Sequence, residues 1–257
     1  MAKVKTLKET TLKMITISAR MQALADMVTA GSRVCDLGCD HGYLSIYLIQ
    51  RGISPHVLAM DVGKGPLGRA SEHILRTELC EYITLRLSDG LTQYEEGEAD
   101  TLICAGMGGA LMQRILEREI PKTESFRELI LQPQSEITAF RRFLAASGWS
   151  ISEENIVFED GKFYPMMKVY PARKGPEERE AGDIPSELAE RFGPVLLKKR
   201  HPVLWEYLKR EWKKCGELKD VLEKAPESPR VQQRMKELLK EMTYLKEVAG
   251  LYGKDYN

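Results

Sequence analysis

No apolar run in this 257-residue chain approaches the roughly 20 residues needed to cross a bilayer. Residues 1–16 are basic but have no continuous apolar core, so they do not read as a secretory signal. Cysteine is sparse. Cys35, Cys39, Cys80, Cys104 and Cys215 are odd in number and irregularly spaced, which excludes a disulfide framework and reads as reduced thiols of a cytoplasmic protein. Cys35, Cys39 and His41 are close in sequence, but their spacing is not that of a zinc site and no second cluster follows, so no metal is expected. Net charge is absent too: 38 basic residues balance 38 acidic ones. That excludes neither nucleic-acid nor protein partners. No repeat or low-complexity tract is visible, and the length suits one α/β domain with a smaller appendage.

What is present begins with Val34-Cys-Asp-Leu-Gly-Cys-Asp-His-Gly-Tyr43. An apolar strand start runs through Asp36-x-Gly38-x-Asp40-x-Gly42 into a helical pattern from Leu44. A glycine-hinged turn between strand and helix is where α/β proteins hold a cofactor. A dinucleotide fingerprint needs Gly-x-Gly-x-x-Gly, but counting from Gly38 those positions hold Asp40 and Tyr43. A carboxylate there repels a pyrophosphate. The loop suits a ligand that is cationic or neutral at this point, and S-adenosylmethionine, with its sulfonium and ammonium groups, fits. Gly63-Lys-Gly65-Pro-Leu-Gly68 matches the dinucleotide pattern literally, but it follows the second strand and Pro66 suits the first turn of a helix.

Short apolar runs at 34–37, 57–61, 83–87, 101–104 and 129–132 alternate with helical patterns at 44–51, 66–77, 110–119 and 136–147, after a first helix at 17–29. This alternation predicts a parallel sheet covered by helices. Residues 151–158 and 163–170 flank Asp160-Gly161, a hairpin turn, so the last strand pair is expected to be antiparallel. The expected fold is α/β: a Rossmann-like class I methyltransferase sheet, mostly parallel with an antiparallel final hairpin. A Pro-, Gly- and charge-rich stretch at 171–184 then leads to helices. Val231, Met235, Leu238, Met242, Leu245 and Ala249 keep a four–three spacing. Leu204, Leu208, Cys215, Leu218 and Leu222 nearly match it, with Glu211 as the break. Pro226-Glu-Ser-Pro229 separates the runs. The reading is a C-terminal α-helical coiled-coil hairpin, a structural cap or a substrate-binding element, with domains at 1–172 and 185–250.

Carboxylates recur at strand ends. Asp36 and Gly38 close the first strand, and Gly38 lets the backbone approach the cofactor's methionine part. Asp61 ends the second, where it can accept from ribose hydroxyls; it is also a candidate helix cap. Asp89 and Gly90 follow the third, suited to the adenine amino group and ring, though Asp-Gly is also an ordinary turn. Ala105-Gly106-Met107-Gly108-Gly109 follows the fourth and leaves open backbone beside the expected position of the transferred methyl. The Asp/Asn-Pro-Pro-aromatic element of exocyclic-amine methylation is missing here, as is a Pro-Cys nucleophile.

Charge is uneven. Lys3, Lys5, Lys8, Lys13 and Arg20 make the N-terminus basic. Lys198-Lys199-Arg200-His201, Lys209-Arg210 and Lys213-Lys214 make the first tail helix basic. Two such patches can grip a folded RNA by its backbone; a solvated helix face is the simpler reading of the tail.

Asp36-x-Gly-x-Asp40-His41-x-Tyr43-Leu44, Val62-x-x-Gly65-Pro66, Asp89-Gly90-Leu91, Ala105-Gly-Met-Gly-Gly109, Leu129-Ile-Leu-Gln-Pro133, Gly161-Lys-Phe-Tyr164 and Arg191-Phe-Gly-Pro194 together resemble the bacterial TrmK-type tRNA (adenine(22)-N1)-methyltransferases, over about residues 14–250. Many members carry Ala at position 42 and Pro at 45, where this chain has Gly42 and Ser45. The resemblance implies methyl transfer from S-adenosylmethionine to N1 of an adenine in the tRNA D-arm. Asp40, His41 and Met107 are then candidates for the reacting end. Arg20, Asp36, Gly38, Asp61, Asp89, Gly90, Ala105 and Gly106 are candidates for the cofactor. Gly108, Gln132, Tyr164, Lys198, Lys199 and Arg200 are candidates for the RNA. The expected partner is tRNA, with no membrane and with oligomeric state open, a monomer being the simpler case. Other S-adenosylmethionine-dependent substrates (another RNA, a protein or a small molecule) stay open from the residues alone, as do a non-enzymatic RNA-binding module and a nicotinamide enzyme.

Overall fold

The computed structural model describes residues 14–171 and 184–256. Lys3, Lys5, Lys8 and Lys13, and most of the 171–184 stretch, lie outside them. In chain order the elements are α1 (Ala19–Asp26), β1 (Val34–Leu37), α2 (Tyr43–Gln50), β2 (Val57–Asp61), α3 (Lys64–Arg76), β3 (Ile83–Leu87), β4 (Thr101–Met107), α4 (Gly109–Arg118), α5 (Ile120–Ser125), β5 (Glu128–Pro133), α6 (Ile137–Ala146), β6 (Ser150–Glu159), β7 (Lys162–Tyr170), α7 (Ser186–Phe192), α8 (Pro194–Lys198), α9 (Pro202–Lys224) and α10 (Pro229–Leu251).

The strands form one seven-stranded sheet in the order β3-β2-β1-β4-β5-β7-β6. β1 pairs in parallel with β2 and β4, β2 pairs in parallel with β3, and β6 and β7 form an antiparallel hairpin. The expected methyltransferase-type sheet is therefore present. Its central strands are buried throughout rather than alternating: every residue of β1, Asp36 included, is buried, as are Val57 to Met60 of β2. Strands covered on both faces read as nearly continuous apolar runs. α2 is buried along Leu44–Ile49, and its start, Gly42, sits so near α3 that a Cβ there would lie 3.2 Å from the Ala70 Cβ.

By internal packing the described residues fall into two compact units. The first holds those up to Gly106 together with Arg114–Ile130; the second holds Met107–Gln113 and those from Leu131 onward. The division runs through the sheet, at 106/107 and 130/131, and leaves β6, β7 and helices α7–α10 together. In the second unit α9 and α10 are each 23 residues long and pack on one another. Leu204, Leu208, Cys215, Leu238, Leu245 and Ala249 of the spaced apolar positions are buried, and Trp205, Tyr244, Val248 and Tyr252 join them. Leu218, Leu222, Met235 and Met242 are partly buried against this cluster. No helix among the described residues is long and apolar enough to cross a membrane.

Candidate active site

The register places Arg86, Met60, Leu37 and Cys104 in one row across β3, β2, β1 and β4. The next residues toward the carboxyl edge are Leu87, Asp61, Gly38 and Ala105. The strand-end residues singled out in the sequence thus share one edge of the first unit. Gly38 (φ +80°) and Gly106 (φ +80°) take left-handed backbone there, on neighbouring strands. The Gly38 and Cys39 N–H groups both donate to the Met60 carbonyl, at 2.8 and 3.1 Å, which turns the chain over the end of β2.

Asp61 fastens this edge. Its Oδ1 accepts from the Gly63 N–H (2.8 Å) and its Oδ2 from the Asp40 N–H (3.2 Å). Each carboxylate oxygen has a further lone pair for a hydroxyl donor. Asp61 therefore holds both loops that would flank a ribose, and it is only half-buried. The residues at 63–68 are no phosphate loop: α3 begins at Lys64, and a Cβ on Gly63 would meet Pro66 Cδ at 2.8 Å.

Asp36 behaves differently. It is 4% exposed and its Oδ2 accepts from the Ser45 hydroxyl at 2.6 Å. Burial pushes its carboxyl up to about 6; the Ser45 bond opposes this and the Asp61 charge adds to it. Asp36 thus ties β1 to α2 from beneath the loop.

Asp40 is exposed and takes a left-handed backbone (φ +46°). Arg69 of α3 organises it: Nη2 donates to Asp40 Oδ1 (3.3 Å) and Nε donates to His41 Nδ1 (3.2 Å), while His41 Nε2 lies 3.4 Å from Asp40 Oδ2. With Nδ1 accepting from Arg69, Nε2 is the ring nitrogen that faces Asp40. The His41 ring stacks with Tyr43 (5.7 Å) and His73 (5.9 Å). Arg69 and His73 were not singled out in the sequence. Their four-residue spacing on α3 puts them on one helix face, but nothing local says that face meets a loop some 28 residues away.

Asp89 is exposed and paired with Arg118 at 2.8 Å, another partner the sequence did not signal. Gly90 has φ +60°, and a Cβ there would meet Ile115 Cγ2 at 3.1 Å. Lys122 of α5 secures the following loop by donating to the Leu91 and Thr92 carbonyls, at 3.1 and 2.8 Å.

Met107 belongs to the second unit. Its carbonyl accepts from the Gln134 N–H (2.8 Å), Gly109 N–H donates to Ser135 O (3.1 Å), and Ala110 N–H donates to Glu136 Oε2 (3.0 Å). A Cβ on Gly109 would lie 2.6 Å from Ser135 O, and one on Gly108 would lie 3.0 Å from Ser135 Oγ. Loop-to-loop closeness thus accounts for these two glycines. Gln132 is wholly buried and its Nε2 donates to the Pro133 carbonyl (3.1 Å). Tyr164 lies half-buried on β7, and Lys198, Lys199 and Arg200 are exposed at the end of α8. Arg20 lies on α1 in the first unit, partly buried.

Residues 17–167 match the methyltransferase domain family. A tRNA (adenine(22)-N(1))-methyltransferase of Bacillus subtilis is 30% identical over 232 residues, covering 90% of this chain and 96% of that protein. The crystal structure of the B. subtilis M1A22 tRNA methyltransferase TrmK superposes with a TM-score of 0.79, covering 91% of this chain and 98% of that one. Streptococcus pneumoniae Sp1610, crystallised in complex with S-adenosyl-L-methionine, is 32% identical with a TM-score of 0.74, covering 91% and 99%. With its strand-end acids on one sheet edge and this likeness along nine-tenths of its length, the chain belongs to the tRNA (adenine(22)-N(1))-methyltransferase family.

Proposed function

We propose that the protein transfers a methyl group from S-adenosylmethionine to N1 of adenine 22 in the D-arm of tRNA. The carrying observation is the row that sets Asp61, Gly38 and Ala105 on three successive strands, next to the Asp40–His41–Arg69 triangle. The donor set fits the cofactor: a half-buried carboxylate for the ribose hydroxyls, Asp89 and Gly90 for the adenine end, and left-handed glycine backbone at Gly38 and Gly106 where the chain must pass close. When bound, S-adenosylmethionine supplies an electrophilic methyl group on sulfonium. The adenine N1 lone pair lies in the ring plane, so the protein's task is chiefly to position that ring. Methylation leaves the ring cationic. The Asp40 carboxylate, held by Arg69 and His41, opposes that charge, and His41 reaches the base or a phosphate. Met107 and Gly108 border the transferred group, while Gln132 supports the pocket and Tyr164 offers a ring face.

Partner and location follow from the same reading. The substrate is tRNA, gripped in part by Lys198, Lys199 and Arg200, and the protein works in the cytoplasm. Residues 1–172 serve cofactor and catalysis; 185–250 form a helical domain whose α9–α10 pair supercoils. Labelled S-adenosylmethionine, unmodified tRNA with adenine at position 22 and base-resolution mapping provide the test. Label at N1 of adenine 22 is the expected result. Label on another RNA, on protein or on small molecules only would replace the reading.

A further inference from the structure

The hairpin β6–β7 and helix α9 enclose a groove of about 350 Å³ in the second unit. Phe163, Tyr164 and Tyr207 supply aromatic faces; Lys162, Arg210 and Lys214 supply positive charge. Glu211 is the acidic group that lines it, and it is paired with Lys214 at 2.6 Å. The groove is preformed. Arg210 Nη1 donates to the Gly161 carbonyl (2.7 Å) and its guanidinium lies 5.8 Å from the Phe163 ring, so the turn is tied to α9. The Phe163 and Tyr207 rings meet edge to face at 5.3 Å. Gln134 forms another wall, and its N–H donates to the Met107 carbonyl at 2.8 Å. One end of the groove is therefore hydrogen-bonded to the loop that the proposed function places beside the transferred methyl.

We infer that this groove holds a nucleotide flanking the target adenine, its base against Tyr164 and its phosphates toward Lys162, Arg210 and Lys214. The inference rests on the proposed tRNA substrate. Aromatic faces interleaved with cations suit an unstacked nucleotide: each base has a π-face, and each phosphate is an anion that can exchange with Glu211 at Lys214. Arg210 keeps donors beyond the one bound to Gly161. Continuity with the Met107 loop favours the substrate RNA over an unrelated protein.

The test uses the full-length protein. Anisotropy titrations with unmodified tRNA run from low to high KCl, calorimetry with S-adenosylmethionine runs alongside, and thermal melting checks folding. Lys162→Glu combined with Lys214→Glu lies on exposed positions; it should weaken tRNA binding about tenfold or more and lower the salt slope by about 1–2. Tyr164→Leu should weaken binding about tenfold while Tyr164→Phe keeps it, since only the latter retains the ring. Cofactor affinity should hold in all of them. Unchanged tRNA affinity and salt slope, in variants that melt normally, would overturn the groove assignment alone if the wild type still methylates tRNA. Equal loss in Tyr164→Phe and Tyr164→Leu would overturn the stacking role. A wild type that neither binds nor methylates tRNA takes the proposed function down with it. A poly-glutamate peptide is the further probe: loss of peptide binding with tRNA binding intact would assign the groove to an acidic protein instead.

Discussion

Glu154 of β6 accepts from the Arg141 guanidinium at 2.9 Å, in a pair whose side chains are 0% and 3% exposed. The other Glu154 oxygen accepts from the Val195 and Leu196 N–H groups, capping α8. Arg141 in turn donates to the Glu190 and Arg191 carbonyls. Gly193, between α7 and α8, has φ +92°, and a Cβ there would lie 2.5 Å from Glu154 Oε1. This buried pair therefore joins the terminal hairpin to the short helices that lead into α9.

Removing one partner leaves the other charge buried and unpaired. Glu154→Gln or Arg141→Met should each lower stability by about 3–5 kcal/mol. Arg141→Met with Glu154→Leu should lose less than the sum of the single variants, because no charge is stranded. It should not regain wild-type stability, because Val195 and Leu196 lose their acceptor. Urea unfolding followed by circular dichroism measures all three; additive losses would mean that the pair is not coupled.

Asp36 predicts a pH signature. Its folded-state value of about 6 lies above the ordinary carboxylate range, chiefly through burial, so the folded state prefers the neutral acid. Its contribution is fully present below the unfolded value near ~4 and is lost as pH rises through about 6. Asp36→Asn keeps an acceptor for Ser45 and carries no charge. Its stability relative to wild type should improve by about 2–3 kcal/mol between pH 4 and pH 7.5. A constant difference across that range, measured by denaturant midpoints, would show that Asp36 ionises alike in both states.

Gly109→Ala forces a Cβ against the Ser135 carbonyl. The loops carrying Met107 and Gln134 must then separate, at a loss of about 1–3 kcal/mol. Methyl transfer should fall at least about tenfold, since a misplacement of about 1 Å costs about a hundredfold in an aligned reaction. Ser135→Gly should not rescue it, because the clash is with backbone.

Asp61→Ala removes the acceptor for two backbone donors together with the proposed ribose contact. Affinity for S-adenosylmethionine should fall about 10–100-fold by calorimetry, the scale of hydrogen bonds to a charged group. Reversing Lys198, Lys199 and Arg200 to Glu should do the opposite: cofactor affinity holds while tRNA affinity falls. A tail reversal that leaves tRNA binding intact would make the end of α8 a solvated face only.

Local pattern alone determined the strands at 34–37, 57–61 and 83–87 and the antiparallel final pair, because short apolar-rich runs bounded by turn residues can be read without a partner. It also placed Asp61, Gly38 and Asp89 at strand ends, since strand-to-helix turns carry their own glycine signals; Ala105, read as following the fourth strand, lies within β4. Short helices escaped it. α5, α7 and α8 have 6, 7 and 5 residues, too few for a periodic stripe, and α8 is capped by Glu154 some 40 residues earlier in the chain. β4 continues to Met107, three residues past the run at 101–104. Only the tertiary structure separated the acids that look alike in sequence. Packing of α2 buried Asp36 against Ser45, whereas Asp40 was left in solvent for Arg69 to hold. Sequence specifies which groups are available at each turn; long-range packing decides which of them lose water, and that sets their charge and their chemistry.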